Sequence, residues 1–239
     1  SFRMDGLFEG LGKKAASAMV KAKWTFKALT GTEEESIEAE NELGAHMAKA
    51  FLEEVPLDTD KESLKLVREV GGSLADCVSN RRRVFHFACV TLPEPNAVAL
   101  PGGYIFVSRQ LLGLCEWDRD CLAGLLGHEI GHVVKNHAFE KVVASKALQV
   151  LMQGAAAGGV LRRAALGLVG NVVKNGYSHD NEHEADVFGV RLANAAGFHP
   201  AGLVRLFRNL QELEDEADIP YLSSHPSLSA RITHLKQAF

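Results

Sequence analysis

Residues 121–134 read Cys-Leu-Ala-Gly-Leu-Leu-Gly-His-Glu-Ile-Gly-His-Val-Val, an apolar run broken by ionisable groups at His128, Glu129 and His132. Its length and composition fit a buried helix. On a helix His128 and His132 stand at i and i+4, so both imidazoles leave one face, one above the other. Two neutral imidazoles so spaced can share one tetrahedral metal ion, and the usual occupant is zinc. Glu129 follows about 100° further round the helix, beside such an ion rather than on it. A carboxylate in that position can take a proton from a water that the metal acidifies. The flanking Leu122, Leu125, Leu126, Ile130, Val133 and Val134 would bury these groups at a cost, which sets the motif apart from a chance pattern on a solvated helix.

Around this motif, 239 residues suit one medium domain that can bury a large core without disulfides. The net charge of -4 gives no sign of a nucleic-acid partner. No secretory signal is visible, and a chain that begins at Ser1 reads as a trimmed or mature form. Cys77, Cys89, Cys115 and Cys121 show neither a Cys-x-x-Cys pair nor zinc-ribbon spacing. Cys115 and Cys121 could bridge around Trp117, or serve equally well as small buried hydrophobes.

Upstream, residues 5–29 place Leu7, Phe8, Leu11, Ala15, Met19, Ala22, Phe26 and Leu29 at spacings of three and four, with lysines between them. That is a basic amphipathic helix, packed on the main body or, as the sharper reading, in contact with a membrane surface. The expected organisation is this helix over 1–30 and a single domain over 31–239. Thr32-x-x-Glu35 is a capping box that opens the next helix, and Pro56 closes it. A further helix is expected over 62–78. Arg81-Arg82-Arg83 reads as a solvated turn.

Strand character appears over 84–91 and 104–108. Between them, prolines flank residues 96–100, which marks a short edge strand. An edge strand beside a metal helix can pair its free backbone groups with an extended peptide, or it can be an ordinary hairpin connection. Residues 147–173 are rich in Ala, Gly, Leu and Val but are interrupted by Gln153 and by Arg162-Arg163, so they fall short of the roughly 18–20 apolar residues of a spanning helix. A buried helical hairpin bent at Gly158-Gly159 is expected there, with 154–170 as a cover for the cleft.

A catalytic zinc needs a third protein ligand. One known solution puts a third His ten positions after the first, which here is Ala138. His137 and His179 are candidates by residue type. Another solution is a Glu on a separate downstream helix, and Asn181-Glu182-x-x-Ala185-Asp186, with Asp180 or Asn181 as its cap, fits it. Glu182 then binds the metal, and Asp186, one turn on, accepts the other ring N–H of a metal histidine, His128 for preference. A last helix follows His225-Pro226.

Taken together, Asn96-Ala97-x-Ala99-x-Pro101-Gly102-Gly103-Tyr104-Ile105, His128-Glu129-x-Gly131-His132, Glu182-x-x-Ala185-Asp186 and His225-Pro226 with Arg231 resemble the gluzincin peptidases. That family contains the HtpX heat-shock proteases, the CAAX prenyl proteases, the Oma-type mitochondrial proteases and soluble periplasmic relatives. The resemblance covers about residues 30–239. It implies an α+β, mostly helical zincin-like fold, with a small sheet whose edge strand, Asn96, Ala97, Val98 and Ala99, receives substrate. It also implies that His225 approaches the metal and stabilises the developing oxyanion, with Arg231 supporting the same region.

The expected activity is that of a zinc endopeptidase. One Zn2+ lies on His128, His132 and Glu182, Glu129 is the general base, and the substrates are misfolded or cell-envelope proteins. The cell envelope is then the expected location, with peripheral membrane contact through the N-terminal helix. The competing reading is a non-catalytic chaperone or assembly factor on the same scaffold, and a third is an exopeptidase.

Overall fold

Thr32 and Glu35 each bond the other's backbone amide, at 3.0 and 3.3 Å, and so fix the start of α1 (Glu33–Glu54). The expected capping box is thus formed, and the chain leaves the helix through extended Val55 just before Pro56. The computed structural model describes residues 31–145, 148, 159–214 and 219–239. The amphipathic helix expected over 5–29 and the first arm and bend of the hairpin expected over 147–173 lie outside the described residues.

Helix α2 (Lys61–Ala75) starts on Asp60, whose carboxylate accepts from the Ser63 amide at 2.9 Å. Three strands follow: β1 (His86–Val90), β2 (Ala97–Leu100) and β3 (Tyr104–Ser108). They form a mixed sheet in the order β1-β3-β2, with β3 parallel to β1 and antiparallel to β2. Leu57 bridges to Val90 on the far side of β1, so β2 carries the unpaired edge among the described residues. The edge is nonetheless not solvated: Ala97, Val98, Ala99 and Leu100 are all buried.

Side chains alternate across the sheet as the pleat requires, and each face has its own core. Cys89, Ala97, Ala99, Ile105 and Val107 pack with Leu122, Leu126 and Ile130 of α4 (Arg119–Val134). Ala88, Val98, Leu100 and Phe106 pack with Leu43 and Met47 of α1 and with Leu168, Val169 and Val172 of α6 (Gly159–Lys174). Each aliphatic side chain withdrawn from water in this way contributes about 1.5–3 kcal/mol. The helix that carries the histidines is therefore held against one face of the sheet.

The turn from β2 to β3, Pro101–Gly103, needs left-handed backbone at Gly102 (φ 77°) and Gly103 (φ 79°), where a side chain would be strained. Glu40 of α1 pins it: one carboxylate oxygen accepts from the Gly102 amide at 3.2 Å and the other pairs with Arg83 Nη1 at 3.0 Å. Burial raises the pKa of Glu40, and Arg83 and the Gly102 amide offset this only in part. Arg83 is consequently not a solvated turn residue. Its side chain is 7 % exposed, because a buried carboxylate 43 residues away requires it.

Two short helices, α3 (Arg109–Leu114) and α5 (His137–Val143), flank α4 and had no clear periodicity in the sequence. Helix α7 (His179–Ala195) crosses α4 at Gly127 and Gly189. A Cβ on Gly127 would stand 2.7 Å from the Gly189 carbonyl oxygen, so the two backbones touch. Helices α8 (Gly202–Glu214), α9 (Pro220–Ser224) and α10 (Leu228–Ala238) close the far side. No described helix is long and apolar enough to cross a membrane. The four cysteines carry free thiols.

Candidate metal centre

Helix α4 begins on Asp118, which accepts from the Cys121 amide, and residues 121–133 are buried. Its third and fourth turns carry His128, Glu129 and His132 at 0–1 % exposure. The Nε2 atoms of His128 and His132 face one another at 3.0 Å. Helix α7 is capped by Ser178, two positions before the expected Asp180 and three before the alternative Asn181, and the Ser178 side chain accepts from the Asn181 amide. One turn in, Glu182 reaches across the glycine crossing. Its Oε1 lies 3.2 Å from His132 Nε2 and its Oε2 lies 3.8 Å from His128 Nε2.

His225, at the end of α9, completes the group. Its Nδ1 is 3.0 Å from Glu182 Oε1 and 3.2 Å from His128 Nε2, and its Nε2 is 3.7 Å from Glu129 Oε1. One donor atom from each of His128, His132, Glu182 and His225 lies within 4.8 Å of all the others. The sequence motifs for these four residues, spread over 98 positions from 128 to 225, thus converge on one point.

Asp186 stands behind His128, its Oδ1 2.8 Å from Nδ1, within reach of the proton that nitrogen carries when Nε2 is bare. Arg231 of α10, fully buried over the Phe207 ring, makes two bonds to Asp186, from Nε at 2.8 Å and from Nη2 at 2.7 Å. Its Nη1 donates to the His225 carbonyl at 3.2 Å and stands 2.7 Å from Glu182 Oε2. That last contact is an ion pair without hydrogen-bond alignment, so Glu182 Oε2 keeps its lone pairs unengaged.

The electrostatics suit a cation. Burial raises the pKa of Glu182, but His225, Arg231 and the bond from His132 together hold it well below the usual carboxylate range, so the group is ionised. Burial drives the His132 pKa far down and keeps that ring neutral, although Glu182 pulls the other way. At His128 burial and Arg231 push down, while Asp186 and Glu182 outweigh them and leave the pKa raised.

A tetrahedral ion with ligands about 2.0–2.2 Å away has ligand atoms roughly 3.4 Å apart. The donor separations of 3.0, 3.2 and 3.8 Å bracket that value. Two imidazole nitrogens and an ionised carboxylate with a spare lone pair, sealed from water, are a donor set for a divalent metal. The residues present fit the group.

Of the candidates by type, His137 and His179 do not enter the donor set. His179 meets Ser227, and His137 lies behind His132. Two aromatic neighbours had no signal in the sequence: Tyr177 stacks on His132 with ring centres 3.8 Å apart, and Tyr221 leans on His225 at 4.5 Å. Strand β2, over residues 97–100, lies at the end of the sheet order, with Asn96 just before it. There the Asn96 amide donates to Ser108 Oγ at 2.9 Å, while the Asn96 side-chain oxygen is buried and unpartnered.

Residues 63–238 match the pattern of Peptidase family M48. The mitochondrial metalloendopeptidase OMA1 of Schizosaccharomyces pombe is 32% identical over 155 residues, covering 61% of this chain and 44% of that protein. The metalloprotease YcaL of Escherichia coli is 30% identical over 148 residues, 60% of this chain and 58% of its own length. The beta-barrel assembly-enhancing protease of Yersinia pestis is 26% identical over 204 residues, 81% of this chain and 41% of the relative. The chain spans about half the length of these curated relatives.

Proposed function

Because this chain belongs to Peptidase family M48, we propose that it is a zinc-dependent endopeptidase acting on misfolded or cell-envelope proteins. The observation that carries the reading is Glu129: a buried carboxylate with one unpartnered oxygen beside a four-donor cluster. A chaperone that used the same scaffold only to bind would have no need for that free base.

His128, His132 and Glu182 hold the ion. When bound, zinc lowers the pKa of a water and polarises the scissile carbonyl. Glu129 accepts the proton of the attacking water at its unpartnered Oε1 and delivers it to the leaving amine. His225, whose Nε2 faces Glu129, donates to the developing oxyanion. Its Nδ1 also lies among the donors, so the ring must turn aside to admit a substrate. Asp186 fixes the tautomer and direction of His128, and Arg231 holds both Asp186 and Glu182 in line. Asn96, Ala97, Val98 and Ala99 align an extended peptide along the unpaired edge of β2 once the cover that buries this edge withdraws, and pairing through the backbone gives weak side-chain selectivity. The name of one matched relative, a beta-barrel assembly-enhancing protease, supports the cell envelope as the place of action. The lysines and apolar spacing of residues 5–29 support packing on the main body or, there, peripheral membrane contact.

The test is digestion of unfolded casein beside elemental analysis. The native chain should hold one zinc and cleave, and a chelator should stop it. Glu129→Gln should keep the zinc and lose about 10²–10⁴ in turnover. Undiminished turnover in that variant removes the assignment of the base. Client protection by a native chain that cleaves nothing favours the chaperone.

A further inference from the structure

The two metal-facing rings are held by different chemistry. Behind His128 stands a carboxylate, Asp186. Behind His132 stands another imidazole: His132 Nδ1 and His137 Nδ1 are 3.0 Å apart. The neighbouring sequence does not announce this, because His137 is five positions on and off the helical face that carries His128 and His132. Asn136 brings it back. At φ 62° it makes a left-handed break between α4 and α5, and His137, the first residue of α5, folds under His132 at 4 % exposure.

We propose that His137 is a positioning residue for His132, fixing its tautomer and its aim at the metal through a chain that ends on Glu184 and Lys135. The inference rests on the metal centre proposed above. The proton positions follow one from the next. His132 Nε2 must be bare to act as a donor, so its proton is on Nδ1. The hydrogen-bond partner of that proton is His137 Nδ1, which must therefore accept, leaving the proton of His137 on Nε2. Glu184 Oε2, 3.2 Å from that nitrogen, accepts it. Glu184 is in turn held by Lys135 Nζ, 2.8 Å from its other oxygen. With the metal bound, one arrangement of protons satisfies every member; with His132 in its other tautomer, either two bare Nδ1 atoms would meet or the bare Nε2 of His137 would face the Glu184 carboxylate. Tyr177 holds the face of the same ring, so His132 is constrained both in plane and in rotation. Glu184 and Lys135 are partly exposed, so the chain links a sealed ring to the surface through two side chains.

A histidine kept only for packing would be replaced without penalty by an apolar side chain of similar size. The experiment is zinc competition against a chromophoric chelator on the full chain, read together with the unfolding midpoint of the metal-free protein. His137→Leu should weaken zinc by about 10–100-fold. His137→Gln, whose oxygen can accept from His132 while its amide donates to Glu184, should recover most of that loss at the same metal-free midpoint. Glu184→Ala, at a half-exposed site that tolerates truncation, should weaken zinc in the same direction by a smaller factor, and it serves if the leucine variant does not fold. Native affinity in His137→Leu, a glutamine variant no tighter than leucine, or an unaffected Glu184→Ala each overturns the proposal while the metal centre stands. A native chain that binds no zinc overturns both together.

Discussion

Gly189 of α7 lies against the backbone of His128 so closely that a Cβ on it would stand 2.5 Å from the His128 amide nitrogen. The contact decides how far Glu182, two turns earlier on α7, can reach toward the rings on α4. The separation of the carboxylate from the histidines is thus set by the absence of a side chain at the crossing.

Gly189→Ala is accordingly expected to cost about 1–3 kcal/mol by overpacking, although alanine is the better helix former. It should also lower metal affinity, since the helices must part to admit the methyl group. Gly170→Ala, where a Cβ meets open space, is the control and should be neutral or stabilising by up to about 1 kcal/mol. Urea midpoints of the two variants decide the point, and equal effects would mean that the crossing is not the constraint.

Arg231 is the sole guanidinium shared by Glu182 and Asp186 among the described residues. Its removal leaves two buried carboxylates without their cation, and Arg231→Leu should lose about 3–5 kcal/mol in the metal-free protein. Zinc at a hundred times its dissociation constant should return about 2.7 kcal/mol, because it binds the folded chain alone. A metal-free variant as stable as its parent would contradict the shared ion pair.

Arg83 and Glu40 make an asymmetric pair of predictions. Arg83→Met strands the buried Glu40 carboxylate and should cost about 3–5 kcal/mol. In Glu40→Gln the side-chain carbonyl still accepts from Gly102, so this variant should cost less. Thermal melts at one pH rank the two, and the opposite order would show that Arg83 acts by packing alone.

Asp58 gives a prediction with pH. Its carboxylate accepts from Arg109 Nε at 2.6 Å and from the Asp60 amide at 2.8 Å; Arg109 is the larger influence, and together they hold its pKa below the usual carboxylate value against the opposing effect of burial. A depressed folded pKa stabilises above the unfolded value, about 3.9, and that stability fades as pH falls through the folded value. Asp58→Asn should therefore lose about 1 kcal/mol at pH 7, a modest figure because Arg109 is half exposed. The gap between parent and variant should close below about pH 4. A gap that stays constant with pH would show that the loss is steric.

How much of this was legible depended on distance along the chain. The histidine pair, the capping box at Thr32, the edge strand and the Glu182/Asp186 turn are local patterns, and each forms where its spacing indicated. The burial of Arg83 was not legible, because its partner lies 43 residues away. The place of His137 depended on one left-handed residue, Asn136, which no periodicity marks. His225 was expected near the metal from resemblance alone. That its Nδ1 joins the donors follows from α9 docking beside α6, with the Tyr177 amide donating to the Ser224 carbonyl at 3.2 Å, a tertiary fact with no signature in the tail.

The buried polar centre has a formal charge that can be read from its members. Glu129, Glu182 and Asp186 bring three negative groups and Arg231 one positive, so with its rings neutral the chamber holds two negative charges in excess. A guest of charge plus two leaves it electroneutral, whereas an alkali cation would leave an uncompensated charge shut away from solvent. On formal charge alone, with the rings neutral, the chamber balances a doubly charged guest and leaves a singly charged one short.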